Sequence, residues 1–261
     1  MTGARAAPAI SLVVPFFNEE ASVEEVCLEA ARALDALGLD YELIAVDDGS
    51  RDATPERLAG LAASTPRLRW LSWQPNRGQG AALYRGLRAA RAPLVATMDG
   101  DGQNDPADLG ALLERLRAAP AADLVVGIRA DRHDSTLRRW MSRVANAVRG
   151  RLLRDRVHDS GCALKVFRRE VVDALIPIRT LYSFIPALAV AAGFRVAEIP
   201  VRHRARAGGR SSYGLGVMLW RPLVDMLGVL WFTRRRFDWP AGLADTGTGG
   251  DAGPRQPPPR S

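Results

Sequence analysis

The feature that most constrains the fold of this chain is a regular alternation of apolar runs and amphipathic segments through its first half. The runs are short and nearly uninterrupted, as in buried strands: Ile10–Pro15, Leu43–Val46, Leu68–Trp73, Leu94–Met98 and Leu124–Ile128. The segments between them have helical spacing: Ala21–Leu37, Thr54–Ala63, Gly80–Ala90 and Pro106–Ala119. Asp52 and Asp105 stand where helix N-caps belong. This alternation predicts an α/β fold with a Rossmann-like, mostly parallel sheet covered by helices on both faces.

The second half of the chain is less regular. Leu137–Leu153 has the pattern of a basic amphipathic helix, and the apolar run Ala163–Phe167 follows a loop. Beyond it we expect two helices, Glu170–Leu175 and Phe184–Ala192, and then a strand, Arg195–Val201. A basic loop, Arg202–Tyr213, leads from this strand into an apolar helix, Leu215–Phe232. The Gly- and Pro-rich composition from about Asp238 predicts disorder. The predicted division is a main domain of residues 1–213, an amphipathic helix of residues 214–237 and a tail of residues 238–261.

The charge of the chain is unevenly distributed. The formal net charge is +7, but the segment Arg129–Arg236 alone carries +14 and the remainder carries −7. A basic segment of this size indicates an anionic partner, and an acidic remainder is suited to holding a metal ion. Nucleic acid binding would explain the basic segment. It would not explain the acidic residues that follow several of the predicted strands, so we reject it.

The compartment signals in the sequence indicate the cytoplasm. Cys27 and Cys162 have neither metal-ligand spacing nor a disulfide framework, and Cys27 is expected to be a buried helix residue. Met1–Ala9 has no apolar run long enough for a signal peptide. No stretch reaches the roughly 18 uninterrupted apolar residues that a spanning helix needs. We therefore expect a cytoplasmic protein.

Acidic residues follow three of the predicted strands. Asn18–Glu20 follows the first strand, Asp47–Ser50 the second and Asp99–Gln103 the fourth. In a parallel α/β sheet, ligands bind at the carboxyl ends of the strands. We therefore expect these three loops to meet at one edge of the sheet and to form the functional site.

The sharpest motif in these loops is Asp99-x-Asp101. Two carboxylates this close can share a divalent cation, or one can bind the cation while the other binds a ribose. Oxygen ligands beside a diphosphate are what Mg²⁺ or Mn²⁺ prefers, and Gln103 adds a neutral oxygen. The alternative interpretation is a turn in which Asp and Gly serve only local geometry.

The other two loops also have two interpretations. The carboxylate of Asp48 could accept hydrogen bonds from a base or a ribose. Alternatively, this loop only starts a helix, with Ser50 or Asp52 as the cap. Asn18 could cap the helix that follows the first strand in the same way.

Taken together, these motifs resemble glycosyltransferase family 2, whose members have the GT-A fold. The resemblance covers nearly the whole chain up to about Phe237. The second half is similar to one branch, the polyprenyl-phosphate sugar transferases, which includes dolichyl-phosphate mannosyltransferase and the undecaprenyl-phosphate aminoarabinose transferase. The segments that carry this similarity are Val125–Arg129, Asp159–Cys162 with Phe167–Arg169, Phe184–Pro186, Glu198–Val201 and Arg206-x-x-Gly209-Arg210-Ser211-Ser212-Tyr213.

The resemblance implies a metal-dependent, inverting transfer of a sugar from a UDP- or GDP-sugar to a polyprenyl phosphate, with undecaprenyl or decaprenyl phosphate as the expected acceptor. The nucleoside pocket would be lined by Pro15, Phe17, Glu19, Val46 and Asp48. The Mg²⁺ or Mn²⁺ ion and the donor diphosphate would be gathered by Asp99, Gly100, Asp101 and Gln103. The phosphates would be held by Arg129, Arg138 or Arg139, and Arg206. Arg149, Arg151 and Arg154 are expected to be surface or headgroup contacts rather than catalytic groups.

Two positions bear on the acceptor. Carrier-lipid enzymes of this family usually have a lysine where this chain has Ser212, and Arg210 could supply the charge instead. A phosphate acceptor is already anionic, whereas a hydroxyl acceptor needs a general base. The best candidate for that base is Asp159, which could instead orient the sugar or an arginine. The predicted catalytic residues are Asp101, Asp159, Arg129 and Arg206.

The last apolar helix is expected to lie on a membrane surface. Many family members carry spanning helices after the catalytic domain, but this helix is interrupted by Arg221, Pro222 and Asp225. Tryptophans at both ends and the cluster Arg234–Arg236 are typical of an interfacial helix on anionic lipid. We therefore expect peripheral contact with the inner face of the cell membrane. The alternative is a helix packed on the core or in a dimer interface, which leaves a homo-oligomer or a membrane-protein partner open.

Two other functions are compatible with the sequence. An enzyme of the same fold could glycosylate a soluble acceptor or a growing glycan, which Ser212 favours and the apolar helix disfavours. A catalytically inactive nucleotide-sugar-binding scaffold is the alternative from another class. All the expected carboxylates are present, and this argues against a scaffold.

Overall fold

The computed structural model of the chain describes residues 7–118, 120–129, 149–153, 155, 157–204 and 215–236, with side chains of the last segment from Val224 onward. These residues include one seven-stranded sheet. Its strands are β1 (Ile10–Phe16), β2 (Tyr41–Asp47), β3 (Leu68–Ser72), β4 (Leu94–Thr97), β5 (Leu124–Arg129), β6 (Lys165–Arg168) and β7 (Val196–Val201). The first five lie within two residues of their predicted bounds at every end.

The strand order across the sheet is β3-β2-β1-β4-β6-β5-β7. All pairings are parallel except those of β6, which runs antiparallel to β4 and to β5. The mostly parallel sheet is therefore confirmed. The exception has a topological cause, because β5 ends at the carboxyl edge and the chain re-enters the sheet at Lys165 on that same edge. The loop that precedes β6 is thereby placed beside the end of β4.

Helices cover both faces of the sheet, as predicted. They are α1 (Val23–Ala36), α2 (Thr54–Ser64), α3 (Gln79–Ala89), α4 (Leu109–Arg117), α5 (Glu170–Asp173), α6 (Leu181–Ala191) and α7 (Leu215–Arg235). One face packs against α1, α2 and α4, and the other against α3, α5, α6 and α7. In α1 the buried residues recur every three or four positions on one side of the helix, which makes one apolar stripe: Val23, Val26, Cys27, Ala30, Ala31 and Leu34. The expectation that Cys27 is buried in a helix is confirmed.

Helix starts differ from the sequence-based expectation in detail. The carboxylate of Asp105 accepts a hydrogen bond from Ala107 N at 3.0 Å, as a cap does, but it caps a 3₁₀ turn (Pro106–Asp108) that precedes α4. The N-cap residue of α2 is Ala53 rather than Asp52. Asp52, one residue before the N-cap, nevertheless accepts a hydrogen bond from Thr54 N at 3.0 Å. It thus satisfies a backbone donor at the start of the helix.

Helix α3 lies very close to the sheet because Gly86 faces it. A Cβ atom at Gly86 would stand 2.3 Å from Val13 Cγ1 and 2.9 Å from Val46 Cγ2, so only glycine fits without a shift. The side chain of Val46 is fully buried between the sheet and α3.

Helix α7 packs on α6 through Met226 and Val229, which are both buried. Asp225 Oδ2 accepts from Thr180 N at 2.9 Å and from Thr180 Oγ1 at 2.6 Å, directly before α6 begins. The interruption by Asp225 thus has a structural role. Within the described part of the chain, no helix is long and apolar enough to cross a membrane.

Some predictions fall on residues outside the described ranges. They are most of the helix Leu137–Leu153, most of the basic loop Arg202–Tyr213, and the tail of residues 238–261. Residues 149–153 are helical, at the end of the first of these. The proposed division at residues 213 and 237 stays a prediction.

Candidate functional site

The carboxyl ends of β2, β1 and β4 are neighbours, because these strands are adjacent in the sheet. The loops after β1 and β2 are joined by hydrogen bonds in both directions. Asn18 N donates to Ser50 Oγ at 2.9 Å, and Asn18 Oδ1 accepts from Arg51 N at 2.8 Å. The alternative in which Asn18 caps α1 is therefore wrong, since the N-cap residue of α1 is Ser22. The three acidic loops meet at one edge, as predicted.

The loop after β4 is held against the end of β1. Ser22 Oγ donates to the carbonyl oxygen of Gly100 at 3.0 Å. A Cβ atom at Gly100 would lie 2.4 Å from the ring of Phe16 and 2.7 Å from the carbonyl oxygen of Pro15. Only glycine allows this approach, and it fixes the two flanking aspartates at the edge of the sheet.

Asp99 and Asp101 lie on either side of Gly100 and are held by different contacts. Asp99 Oδ1 accepts from Gln79 Nε2 at 2.7 Å, and Asp99 N donates to the buried Asn104 Oδ1 at 3.0 Å. Asp101 is 8% exposed, and its Oδ1 accepts from Gln103 N at 3.1 Å. The two carboxylates therefore occupy defined positions at the edge.

This donor set fits a hard divalent cation. The described residues contain no group of three or more His, Cys, Asp or Glu side chains that could hold a metal ion by themselves. Mg²⁺ is commonly bound by one or two carboxylates together with water and substrate phosphate oxygens. Asp99 and Asp101 supply two such carboxylates, so a cation bound here would take further oxygens from a diphosphate. Gln103 Nε2 donates to Arg204 O at 3.4 Å, and its role as a ligand stays a prediction.

The carboxylate of Asp48 is surrounded by donors from the segment between β3 and α3. Oδ1 accepts from Trp73 Nε1 at 3.0 Å and from Arg77 N at 2.9 Å. Oδ2 accepts from Asn76 Nδ2 and from Gly78 N, both at 2.7 Å. These bonds occupy the roughly four acceptor positions of a carboxylate. A hydrogen bond from a nucleoside would have to replace one of them, so the predicted contact of Asp48 with the donor stays a prediction.

The other predicted nucleoside-binding residues occupy different depths. Pro15 lines a small cavity with Asp99, and Phe17 is half-buried at the edge. Glu19 is also half-buried, and its Oε2 lies 3.1 Å from Ser22 Oγ. Val46 differs from the expectation, because its side chain is fully buried in the core and supports this edge without lining it.

Arg129 and Asp159 form a bidentate ion pair at the same edge. Arg129 Nε donates to Asp159 Oδ2 and Arg129 Nη2 to Asp159 Oδ1, both at 2.8 Å. Burial alone would lower the pKa of Arg129, but the hydrogen bonds and charge of Asp159 outweigh it, with a further contribution from Asp99, so this pKa is raised. The geometry favours Asp159 as the residue that orients Arg129, one of the roles that the sequence left open.

The loop that carries Asp159 is held from a second strand. Glu198 of β7 accepts from His158 N at 2.9 Å and from Asp159 N at 3.3 Å. Its other oxygen contacts His158 Nδ1 at 2.7 Å. Three further predicted phosphate-binding residues lie outside the described residues: Arg138, Arg139 and Arg206.

Arg149 was expected at the surface, and this expectation is wrong. Arg149 is buried and pairs with the buried Asp155, with Arg149 Nη1 2.9 Å from Asp155 Oδ2. Arg149 Nη2 also donates to Val157 O at 2.9 Å. Arg151 is exposed, as expected, and Arg154 lies outside the described residues.

The sequence analysis assigned no role to four residues that organise the site: Gln79, Asn104, Lys165 and Glu198. Gln79 contacts Asp99 from the start of α3 and Asn104 from five residues further along the same loop, and no local pattern distinguishes them. Lys165 and Glu198 could have been noticed, because each is a charged residue inside an otherwise apolar run. Such a residue needs a buried partner, which makes it a candidate for a structural or functional role.

The sequence is similar to known proteins. Residues 11–176 match the family described as Glycosyl transferase family 2. A dodecaprenyl-phosphate galacturonate synthase of Rhizobium johnstonii is 39% identical over 231 residues, which are 86% of this chain and 67% of that protein. An undecaprenyl-phosphate 4-deoxy-4-formamido-L-arabinose transferase of Pseudomonas aeruginosa is 40% identical over 205 residues, 78% of this chain and 60% of that protein. The chain thus spans about three fifths to two thirds of the length of these relatives.

The structure is similar to solved structures of glucosyl-3-phosphoglycerate synthase from Mycobacterium tuberculosis. The complex with Mn²⁺, UDP and phosphoglyceric acid has a TM-score of 0.68 at 24% identity, over 86% of this chain and 79% of that chain. The complex with Mg²⁺ and UDP has a TM-score of 0.66 at 23% identity, over 87% and 80% of the two chains. At these identities the likeness shows the fold, and the α/β fold of GT-A type is confirmed.

Proposed function

Because the chain belongs to glycosyltransferase family 2, we propose that it transfers a sugar from a UDP- or GDP-sugar to a polyprenyl phosphate with the help of Mg²⁺ or Mn²⁺. The names of the two bacterial relatives support this class of acceptor. The observation that carries the proposal is that Asp99 and Asp101 lie on the same edge of the sheet as the Arg129–Asp159 pair. A cation and phosphate groups can therefore be bound side by side.

The proposed reaction is a displacement at the anomeric carbon. An oxygen of the acceptor phosphate attacks this carbon from the face opposite the diphosphate, and the bond to the diphosphate oxygen breaks with inversion. The nucleoside diphosphate leaves with the bonding electrons. A divalent cation held by Asp99 and Asp101 would neutralise charge on the leaving group. Arg129, fixed by Asp159, would bind a phosphate through its planar guanidinium.

The contacts of Asp159 favour an acceptor that needs no general base. Its two oxygens are engaged by the Arg129 guanidinium at 2.8 Å, so the geometry suits orientation better than proton removal. A phosphate monoester is anionic at neutral pH and can attack without losing a proton to the protein. A hydroxyl acceptor would require a base.

A transfer assay tests the proposal. The full chain is incubated with radiolabelled UDP- and GDP-sugars, Mg²⁺ or Mn²⁺, and undecaprenyl phosphate, and the products are extracted into butanol. We expect label in the organic phase, lost on addition of EDTA and restored by excess metal. Label in the organic phase that resists EDTA would contradict the metal requirement. Hydrolysis of the donor without label in the lipid would contradict the polyprenyl-phosphate acceptor and indicate a soluble acceptor instead.

We further propose that α7 places the protein on an anionic membrane surface. Opposite its packed face, three large apolar side chains lie one helical turn apart and are exposed: Val224 by 47%, Leu227 by 62% and Trp231 by 64%. This exposed stripe is followed by the exposed Arg234 and Arg235, and the guanidinium of Arg235 lies 5.7 Å from the ring centre of Trp231. Apolar side chains beside arginines are complementary to acyl chains below anionic headgroups.

Replacing Leu227 with glutamate should weaken membrane binding about 10- to 100-fold, because it removes an apolar side chain worth about 1.5–3 kcal/mol on burial and adds a repelled charge. Binding is measured by co-sedimentation with phosphatidylglycerol vesicles, with phosphatidylcholine vesicles for comparison. Leu28→Glu is the matched control, since Leu28 is 45% exposed on α1, on the other face of the sheet.

The control variant should bind vesicles as the unmodified protein does. Equal binding by both glutamate variants would contradict the assignment of the stripe. Concentration-dependent dimerisation that only Leu227→Glu abolishes would identify the stripe as a contact between two copies of the chain.

A further inference from the structure

Lys165, the single lysine of the chain, is fully buried at the start of β6. In the sheet it pairs with Thr97 of β4 on one side and with Val126 of β5 on the other. Burying an ammonium group is unfavourable because the ion loses its water, and burial lowers the pKa of Lys165 to about 8. An apolar side chain would avoid this cost, so the ammonium group itself requires an explanation.

The ammonium group joins two segments that no strand pairing connects. Lys165 Nζ donates to the carbonyl oxygen of Cys162, in the loop that carries Asp159. It also donates to the carbonyl oxygen of Tyr182, in the first turn of α6, at 3.0 Å. Without the lysine, both carbonyl groups would lose a donor in surroundings with little access to water. The loop would then lose this attachment to α6.

The charges around Lys165 belong to the candidate site. Asp99 and Asp159 favour the ammonium ion, and Arg129 disfavours it. Lys165 and Asp99 line the same small cavity, together with Gln79 and Tyr182. The buried cation therefore balances the carboxylates of the sheet edge from inside the protein.

We propose that Lys165 is a positioning residue that clamps the loop of residues 159–163 against α6 and thereby holds Asp159 and the Arg129 guanidinium in the orientation that binds an anionic group. This group is a phosphate of the nucleotide donor, and its identity rests on the proposed function. The clamp itself requires no bound ligand, so it can be tested in the ligand-free protein.

The test compares Lys165→Met with the unmodified chain by two measurements. Amide hydrogen exchange in residues 159–163 and in the first turn of α6 should become about tenfold faster in Lys165→Met. Local opening of these segments then no longer requires the two hydrogen bonds of the lysine to be broken. The Kd for UDP or GDP in the presence of Mn²⁺, measured by calorimetry, should rise about tenfold, since both the orientation of Arg129 and a neighbouring positive charge are affected.

Glu42→Gln is the matched control, because Glu42 is a buried charged residue at the opposite end of the strands, 3.0 Å from Arg69 Nη2. It should change neither the exchange of residues 159–163 nor the Kd. Lys165→Arg, which keeps the charge and the donors, should recover most of both effects, and Lys165→Gln should fall between.

Three outcomes would overturn the proposal. One is unchanged exchange in Lys165→Met. A second is faster exchange with an unchanged nucleotide Kd, which would leave Lys165 a structural role only. The third applies if the methionine variant does not fold. In that case the proposal is overturned when Lys165→Gln and Lys165→Arg give the same exchange rates and the same nucleotide Kd. Should neither nucleotide bind the unmodified chain, the proposed function fails, and the exchange result still decides whether the clamp exists.

Discussion

Replacing Asp101 with asparagine should lower kcat/KM for sugar transfer about 10³-fold, which corresponds to about 4 kcal/mol of lost transition-state stabilisation. Asparagine preserves the shape of the side chain and can still accept the hydrogen bond from Gln103 N, so the loop should keep its conformation. The charge that attracts a divalent cation is lost. The concentration of Mn²⁺ required for half-maximal activity should therefore rise, and this is measured by metal titration of the initial rate.

The matched control for this variant is Asp173→Asn. Asp173 forms a surface ion pair with Arg88, at 2.8 Å, with its side chain 61% exposed. Such pairs contribute little, so activity should stay within about twofold of the unmodified chain. If Asp101→Asn turned over normally at saturating metal, the assignment of Asp101 to the cation would be wrong.

Replacing Arg129 with methionine should lower kcat/KM about 10³-fold, and Asp159→Asn about 10²-fold, because the second residue acts by orienting the first. If Asp159 works only through Arg129, the double variant should be no worse than Arg129→Met alone. The three variants form a double-mutant cycle measured under one set of conditions. Additive losses would show that Asp159 has an independent role.

The chain offers a matched control for this ion pair. Asp123 accepts from Arg195 Nε at 3.1 Å and from Arg195 Nη2 at 3.3 Å, next to the opposite end of β5. Asp123→Asn should reduce stability but leave kcat/KM per folded molecule within about twofold. A general base at Asp159 would give another pattern, in which Asp159→Asn is the most damaging single change and the acidic limb of the pH–rate profile disappears.

The alternation of strands and helices in the first half could be predicted because it is a local property of the sequence. The apolar runs before Asn18, Asp48 and Asp99 are strands, and each residue stands where a strand has just ended. Parallel strands point their carboxyl ends the same way, so the meeting of these loops followed from the pattern alone.

The partners of individual side chains could not be predicted in the same way. The four donors to Asp48 come from residues 73–78, which lie 25 to 30 positions away and have no pattern of their own. Arg149 looked like one basic residue among many, yet it is buried against Asp155. The position of the exposed stripe on α7 depends on which face of α7 is covered by α6, because α7 is apolar on several sides.

The sequence by itself determined the α/β class, the acidic strand ends and the family resemblance, since each depends on residue types at short, fixed spacings. The tertiary structure decided the direction of β6. That strand runs against its neighbours, and so it sets Asp159 beside Arg129 and Lys165 behind Asp99. Strand direction is settled by pairing between segments about forty to seventy positions apart, which no local pattern records.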